Sequence, residues 1–202
     1  YTTLFRSRDN PMFEIDVNGT GNNTVIVIHV PGNETGGNVT IYINGTNMTA
    51  DVINGTATFN LTNITPGTHN TTIVYVDANG TSSQVNTTIT VPKWESSVDL
   101  NVTDIREGSV ETITIEVTGP QKGFVHIDIA GKGYYANFTD GKATIDIAGL
   151  KEGEYTATVT FLGDDIYKGS SAAKSFKVTE GIKLDVNGTG NSSTLVITVP
   201  GN

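Results

Sequence analysis

Cysteine is absent from all 202 residues, which excludes a disulfide framework, a thiolate nucleophile and any sulfur-ligated metal. Such a chain must be held together by packing alone. Apolar runs are short as well: none reaches the ~18 residues of a membrane-spanning helix, and no signal peptide is recognised. Basic residues are few, with 12 Lys and Arg against 21 Asp and Glu and a net charge of −9. Phosphate binding needs a basic stripe, so nucleic acid is excluded as a partner and anionic membrane surfaces are disfavoured. His29, His69 and His126 are the only histidines, too scattered along the chain to form a metal set. No Gly-x-Ser-x-Gly elbow occurs, and Gly19 and Gly21 are not followed by a helical pattern, which removes a nucleotide loop. No catalytic residue and no cofactor is expected.

Against these absences stands one excess. Sixteen Asn-x-Ser/Thr triplets begin at Asn18, Asn22, Asn33, Asn38, Asn44, Asn47, Asn54, Asn60, Asn63, Asn70, Asn79, Asn86, Asn101, Asn137, Asn187 and Asn191. Twelve fall between residues 13 and 92, where every Asn except Asn23 has a hydroxyl residue two positions on. Chance placement would give about three such cases, so composition alone fails as an explanation. The triplet is the acceptor for N-linked glycan, and its density implies export from the cytoplasm and an exposed, sugar-bearing surface.

Internal repeats set the organisation. Residues 13–33 return as residues 182–202 with 13 of 21 positions identical. A weaker copy aligns Asn54 onwards with Asp140 onwards at an offset of 86. The chain therefore reads as part of a tandem array of units of about 85 residues, in two alternating kinds. We assign 13–92 to one unit, 93–181 to the second and 182–202 to the truncated start of a third. The first seven residues, YTTLFRS, are what the sequencing-adapter DNA TACACGACGCTCTTCCGATCT encodes in frame; residues 1–7 are read as an assembly artefact. Both natural termini are expected to lie outside the sequence.

Within a unit, stretches rich in Val, Ile, Thr and Phe alternate apolar with polar residues, and Asn-Gly, Asp-Gly or Pro-Gly punctuates them every eight to twelve residues. The pattern predicts strands near 13–18, 24–30, 38–43, 47–52, 56–61, 70–77 and 84–91. Seven strands in so short a unit indicate an all-β, immunoglobulin-like sandwich. Comparing units predicts which face is buried: Ile26, Ile28 and Val30 match Ile113, Ile115 and Val117, then Leu195, Ile197 and Val199, all expected to point inward. Asn and Thr of one triplet, two residues apart in a strand, share the outer face while the middle residue points in. Where the triplet is Asn-Gly-Thr, at Asn18, Asn44, Asn54, Asn79 and Asn187, a hairpin turn is an equally good reason for the Gly.

The two kinds of unit differ in surface chemistry. Residues 13–92 contain no Lys or Arg and five acids, whereas 93–181 contain nine Lys and Arg, fourteen acids and two acceptors. One unit is solvated by sugar, the other by charge. The short linkers near 92–95 and 179–181 predict a semi-rigid rod. Trp94 is expected to pack at the first junction, with an aromatic platform for a sugar ring as its alternative. Asp164 and Asp165, in the loop before Tyr167, are candidates either for turn chemistry or for a Ca²⁺ site, with Tyr167 packing under the loop.

The second unit carries Gly-Lys-Ala-Thr at 141–144, Gly-Glu-Tyr-Thr at 153–156, Gly-Asp-Asp-Ile-Tyr at 163–167 and a closing strand. It resembles the immunoglobulin-like repeats of prokaryotic surface proteins. The first unit, with NGTATFNLTNITPGTHNTTIVYVD from Asn54, is similar to repeats in adhesin-like proteins of methanogenic archaea. The resemblance implies a stalk of stacked domains on a cell surface. Its partners would be the neighbouring repeats of the same chain, and cell-wall or partner-cell carbohydrate or protein. Two alternatives stay open: a repeat that is itself a carbohydrate- or protein-binding module, and accessory domains of an extracellular polysaccharide-active enzyme. Some repeats of this kind carry Lys–Asn cross-links, which the first unit, lacking Lys, cannot form internally. His69 stands where the second unit has Tyr155, which puts the corner hydrogen bond of the fold in question there.

Overall fold

The structure is a computed structural model that describes residues 2–4, 13–20, 23–33, 35–189 and 191–199. The chain divides into two compact units, Tyr1–Glu95 and Ser96–Asn202, each with its own hydrophobic core.

The first unit contains β1 (Thr2–Leu4), β2 (Glu14–Thr20), β3 (Asn23–His29), β4 (Asn38–Ile43), β5 (Thr46–Asp51), β6 (Thr56–Thr62), β7 (Gly67–Val76) and β8 (Ser82–Val91). They form two four-stranded sheets in the orders β1-β2-β3-β6 and β5-β4-β7-β8. Thr2–Leu4, within the seven adapter-like residues, pairs antiparallel with β2. Strict alternation explains the sandwich: Ile26 and Ile28 of β3, Val39, Ile41 and Ile43 of β4, Phe59 of β6 and Ile73 of β7 are all buried, and their strand neighbours face out.

The second unit repeats the plan with β9 (Ser97–Asn101), β10 (Ile105–Arg106), β11 (Glu111–Thr118), β12 (Lys122–Ile129), β13 (Lys132–Thr139), β14 (Lys142–Ile147), β15 (Gly153–Phe161) and β16 (Ser170–Thr179). The order β10-β16-β15-β12-β13-β14-β11-β9 is continuous only because β13 meets β14 at the single pair Thr139–Lys142. Functionally it is two sheets joined at one hairpin, with β10 lying parallel on β16. Glu111, fully buried, accepts hydrogen bonds from the Thr103 backbone N–H at 2.8 Å and from its hydroxyl at 2.9 Å. A buried carboxylate is tolerated when it is paired in this way.

Residues beyond the second sandwich form a separate hairpin of β17 (Lys183–Thr189) and β18 (Ser192–Thr198). Leu195, Ile197 and Val199 do not point into a core but are exposed, as are Leu184 and Val186. Their counterparts Ile26, Ile28 and Val30 are buried by the facing sheet of the first unit; no such sheet covers the hairpin among the described residues.

The corner hydrogen bond is present in both sandwiches. In the second unit the Tyr155 hydroxyl donates to the Lys151 carbonyl at 3.0 Å. In the first, His69 Nε2 donates to the Thr65 carbonyl at 2.8 Å. Both bonds reach back four residues. A carbonyl can only accept, so the contact fixes the proton on Nε2 whether or not the ring is charged. His69→Ala is therefore expected to destabilise the first unit by about 1 kcal/mol, and His69→Tyr to restore it. Urea titration of the three proteins checks this; equal midpoints for His69→Ala and the parent would show that the bond contributes nothing.

Candidate functional site: the acceptor surface

Asn22 lies outside the described residues, and Asn33 is placed only by its backbone, in the turn Pro31–Asn33. Of the other fourteen acceptor asparagines, thirteen are exposed and Asn38 is half-buried. The strands achieve this by the expected alternation. Val39, Leu61 and Phe138, the middle residues of the triplets at Asn38, Asn60 and Asn137, are buried in the cores. Thr71, in the triplet of Asn70, is buried too.

Adjacent strands bring acceptors together. Thr72 of β7 pairs with Asn86 of β8 and Asn70 with Thr88, so two triplets lie side by side and antiparallel. The Thr72 hydroxyl donates to Asn86 Oδ1 at 2.8 Å. The edge strands β5, β6 and β8 carry Asn47, Asn60 and Asn86, and an edge strand presents unpaired backbone to its surroundings.

The Asn-Gly-Thr triplets divide into three geometries. Asn44-Gly45 and Asn54-Gly55 form hairpin turns with both residues at positive φ, 51° and 75° in one, 50° and 78° in the other, as a type I′ turn requires. Asn79-Gly80 sits in a loop capped by Asp77, whose Oδ1 accepts from the backbone N–H groups of Asn79 and Thr81 at 2.8 Å each. Asn18 and Asn187, by contrast, lie inside β2 and β17, so turn chemistry does not account for their glycines. At Gly19 the reason is tertiary: a Cβ there would come within 3.0 Å of the Pro92 ring.

The second unit shows what those hairpin turns look like without an acceptor. Ala130-Gly131 and Asp140-Gly141 occupy the same two positions at an offset of 86, with φ of 53° and 80°, and 52° and 72°. The residue after each Gly is Lys132 or Lys142, where the first unit has Thr46 or Thr56. The turn thus demands the Gly but not the Thr. Charge is also used elsewhere on this unit: Lys151 bonds Glu107 at 2.8 Å, Lys174 bonds Asp99 at 3.0 Å and Lys177 bonds Glu154 at 3.0 Å. The Lys151 ammonium, with the backbone N–H of Glu152, holds the Glu107 carboxyl below its ordinary range.

The loop of Asp164 and Asp165 is closed by its own backbone. Asp164 Oδ1 accepts from the N–H groups of Ile166 at 2.8 Å and Tyr167 at 2.6 Å, the turn-capping role of Asp. Asp165 is exposed, and Tyr167 packs against the core. Among the described residues no group of three or more His, Cys, Asp or Glu is arranged to hold a metal ion. Trp94 is half-buried.

One exposed cluster is not evident from the sequence. Phe124 and Tyr135, on the outer face of β12 and β13, are 51% and 69% exposed, with ring centroids 6.3 Å apart. Two aromatics at polar-face positions are its only signal, and the register that unites them is not visible in one strand.

Each unit is a β-sandwich of fibronectin type-III and immunoglobulin-like plan, and the chain is a tandem of such sandwiches. No protein-family model and no curated relative matches it. Among solved structures, the two-domain fibronectin type-III segment of chicken tenascin is similar, with a TM-score of 0.51 at 14% identity, covering 81% of this chain and 97% of that one. The fibronectin(III)-like modules of CbhA from Clostridium thermocellum match at a TM-score of 0.38 and 16% identity, covering 82% of this chain and 94% of theirs. A 1.5-MDa bacterial ice-binding adhesin matches at 0.36 and 15%, covering 85% of this chain and 65% of that one. At 14% identity the likeness to the tenascin segment is one of fold. No helix among the described residues is long and apolar enough to cross a membrane.

Proposed function

We propose that this chain is a piece of the glycosylated stalk of an extracellular adhesin-like protein on an archaeal cell wall, without catalytic activity. Units at 13–92, 93–181 and from 182 onward succeed one another as immunoglobulin-like repeats and hold a distal binding region away from the surface. The function is geometric. The sandwiches supply stiffness, and the glycans keep the sheets soluble, block edge-to-edge pairing and shield the loops from proteases. The carrying observation is that thirteen of the fourteen acceptor asparagines whose exposure is described are exposed, on strand faces and at turn tips, with Val39, Leu61 and Phe138 of three triplets buried beneath them. The same scaffold in the charged unit places Lys after two equivalent turns.

Glycopeptide mass spectrometry of native material is expected to find sugar on the asparagines of 13–92. Partial occupancy is expected where acceptors are three apart, as at Asn44 and Asn47 or Asn60 and Asn63. Finding every one of these asparagines unmodified would sink the reading. A second reading, that a repeat is itself an adhesion module, draws on the exposed rings of Phe124 and Tyr135. Saturable binding of an unglycosylated 93–181 fragment on a glycan array would favour it.

A further inference from the structure

The register of β12 on β13 sets Phe124 opposite Asn137, His126 opposite Tyr135 and Asp128 opposite Gly133. Side chains at i and i+2 of a strand share a face, so Phe124, His126, Tyr135 and Asn137 all emerge on the outer side of the sheet. Tyr135 lies 5.0 Å from the His126 ring and 6.3 Å from the Phe124 ring, tilted against both. Gly133 leaves room for the imidazole, since a Cβ there would fall 2.7 Å from His126 Nε2. Outward of β15 and β16 the same face carries Thr156, Thr158, Thr160, Ser171, Ala173 and Ser175. The rings therefore form a local platform on an otherwise polar face, which also carries Lys122 and the Lys177–Glu154 pair.

The platform is built around an acceptor. Asn137, exposed, has Phe124 directly across the ladder at about 4.5–5.5 Å between Cβ atoms and Tyr135 two residues before it on its own strand. The corresponding corner of the first unit, offset by 86, has no ring: Asn38 stands for Phe124, Asp51 for Asn137, and Thr40 and Thr49, hydrogen-bonded at 2.8 Å, for His126 and Tyr135. In the first unit these four positions are Asn, Asp and Thr, with one exposed ring beside them, Tyr42, across the ladder from Asn47. In the second unit they hold Asn137 and three rings, Phe124, His126 and Tyr135.

We propose that Phe124 and Tyr135 are the seat of the first sugar of a glycan carried by Asn137 itself, an inference that rests on the reading of Asn-x-Thr triplets as glycosylated. Attachment joins Asn137 Nδ2 to the anomeric carbon of a sugar supplied by an activated glycosyl diphosphate. The C–N bond forms as the C–O bond to phosphate breaks, the diphosphate leaves and the amide releases one proton. The apolar C–H face of the pyranose then lies on the two rings, and its removal from water stabilises the β12–β13 edge. A tethered sugar acts at an effective concentration of roughly millimolar or above, so it excludes free saccharide from the same rings.

The test is the full chain secreted from a cell that N-glycosylates exported proteins, as wild type and as Phe124→Thr/Tyr135→Thr, with occupancy at Asn137 read by glycopeptide mass spectrometry. Both rings are exposed and Thr suits a strand, so the unglycosylated double variant should melt with the unglycosylated wild type. Enzymatic removal of sugar is expected to lower the melting midpoint of the second unit by roughly 4–8 °C in the wild type and to leave the double variant unmoved. Upfield-shifted ring protons of the first sugar, lost in the double variant, should accompany it. An occupied Asn137 with unshifted sugar protons and equal melting losses in both proteins overturns the seat while leaving the glycan reading intact. Occupancy elsewhere with Asn137 bare does the same. An absence of sugar at every acceptor overturns both. Saturable binding of a free oligosaccharide or a protein to the two rings in the occupied chain also overturns the seat, because the rings would then be open.

Discussion

Replacing Phe138 by Ala is expected to destabilise the second unit by about 3–5 kcal/mol and to leave the first unit untouched. Phe138 is 1% exposed and meets Phe161 edge-on at 5.9 Å. Its ring is pressed so closely by Gly123 that a Cβ there would lie 2.8 Å away, so the space vacated cannot be filled by a neighbouring side chain moving a short distance. The cavity term adds to the lost transfer energy, and loss of the aromatic pair adds ~0.5–1.5 kcal/mol more. For a unit of this size the melting midpoint should fall by roughly 15 °C or more. Because the two cores share no residue, calorimetry of the variant should show one transition displaced and the other in place. A single transition displaced as a whole would show that the units unfold together.

The second large effect is expected at Gly37. Its φ is +82°, and a Cβ on it would come within 2.1 Å of the Val76 carbonyl oxygen and 2.9 Å of Asp77 Cα. Both atoms are backbone of the strand and loop that the 35–37 segment closes against, so neither can swing aside as a side chain would. Gly37→Ala combines a left-handed backbone with this collision and should cost on the order of 2–4 kcal/mol. Gly45 is the internal control. It has a similar φ, +75°, but a Cβ there would meet nothing within 4 Å, so Gly45→Ala should cost only ~1–2 kcal/mol. Equal urea midpoints for the two variants would contradict the steric account.

The strands are legible in the sequence because alternation survives both unit types. Predicted segments such as 38–43 and 56–61 coincide with β4, Asn38–Ile43, and nearly with β6, Thr56–Thr62, and the buried register of Ile26, Ile28 and Val30 follows from comparing copies. What stays hidden depends on partners distant in sequence. Gly19 has the look of a turn glycine, and only the approach of Pro92 explains it within a strand. His69 has the look of a lost corner, yet its Nε2 reaches the same backbone carbonyl position as a tyrosine hydroxyl. The apolar residues of 182–199 follow the pattern of the first unit and stand exposed, with no facing sheet over them among the described residues. The ring cluster at Phe124 and Tyr135 requires the β12–β13 register, which periodicity in one strand does not contain.

The paired hairpin turns have a consequence for how such an array changes over time. Ala130-Gly131-Lys132 and Asn44-Gly45-Thr46 share one backbone path, as do Asp140-Gly141-Lys142 and Asn54-Gly55-Thr56. Two substitutions, Ala130→Asn and Lys132→Thr, would convert a cationic tip into a sugar acceptor without asking the chain to fold differently. On the proposed reading of the acceptors, charge and carbohydrate are interchangeable at these tips, because the turn backbone is the same in both units.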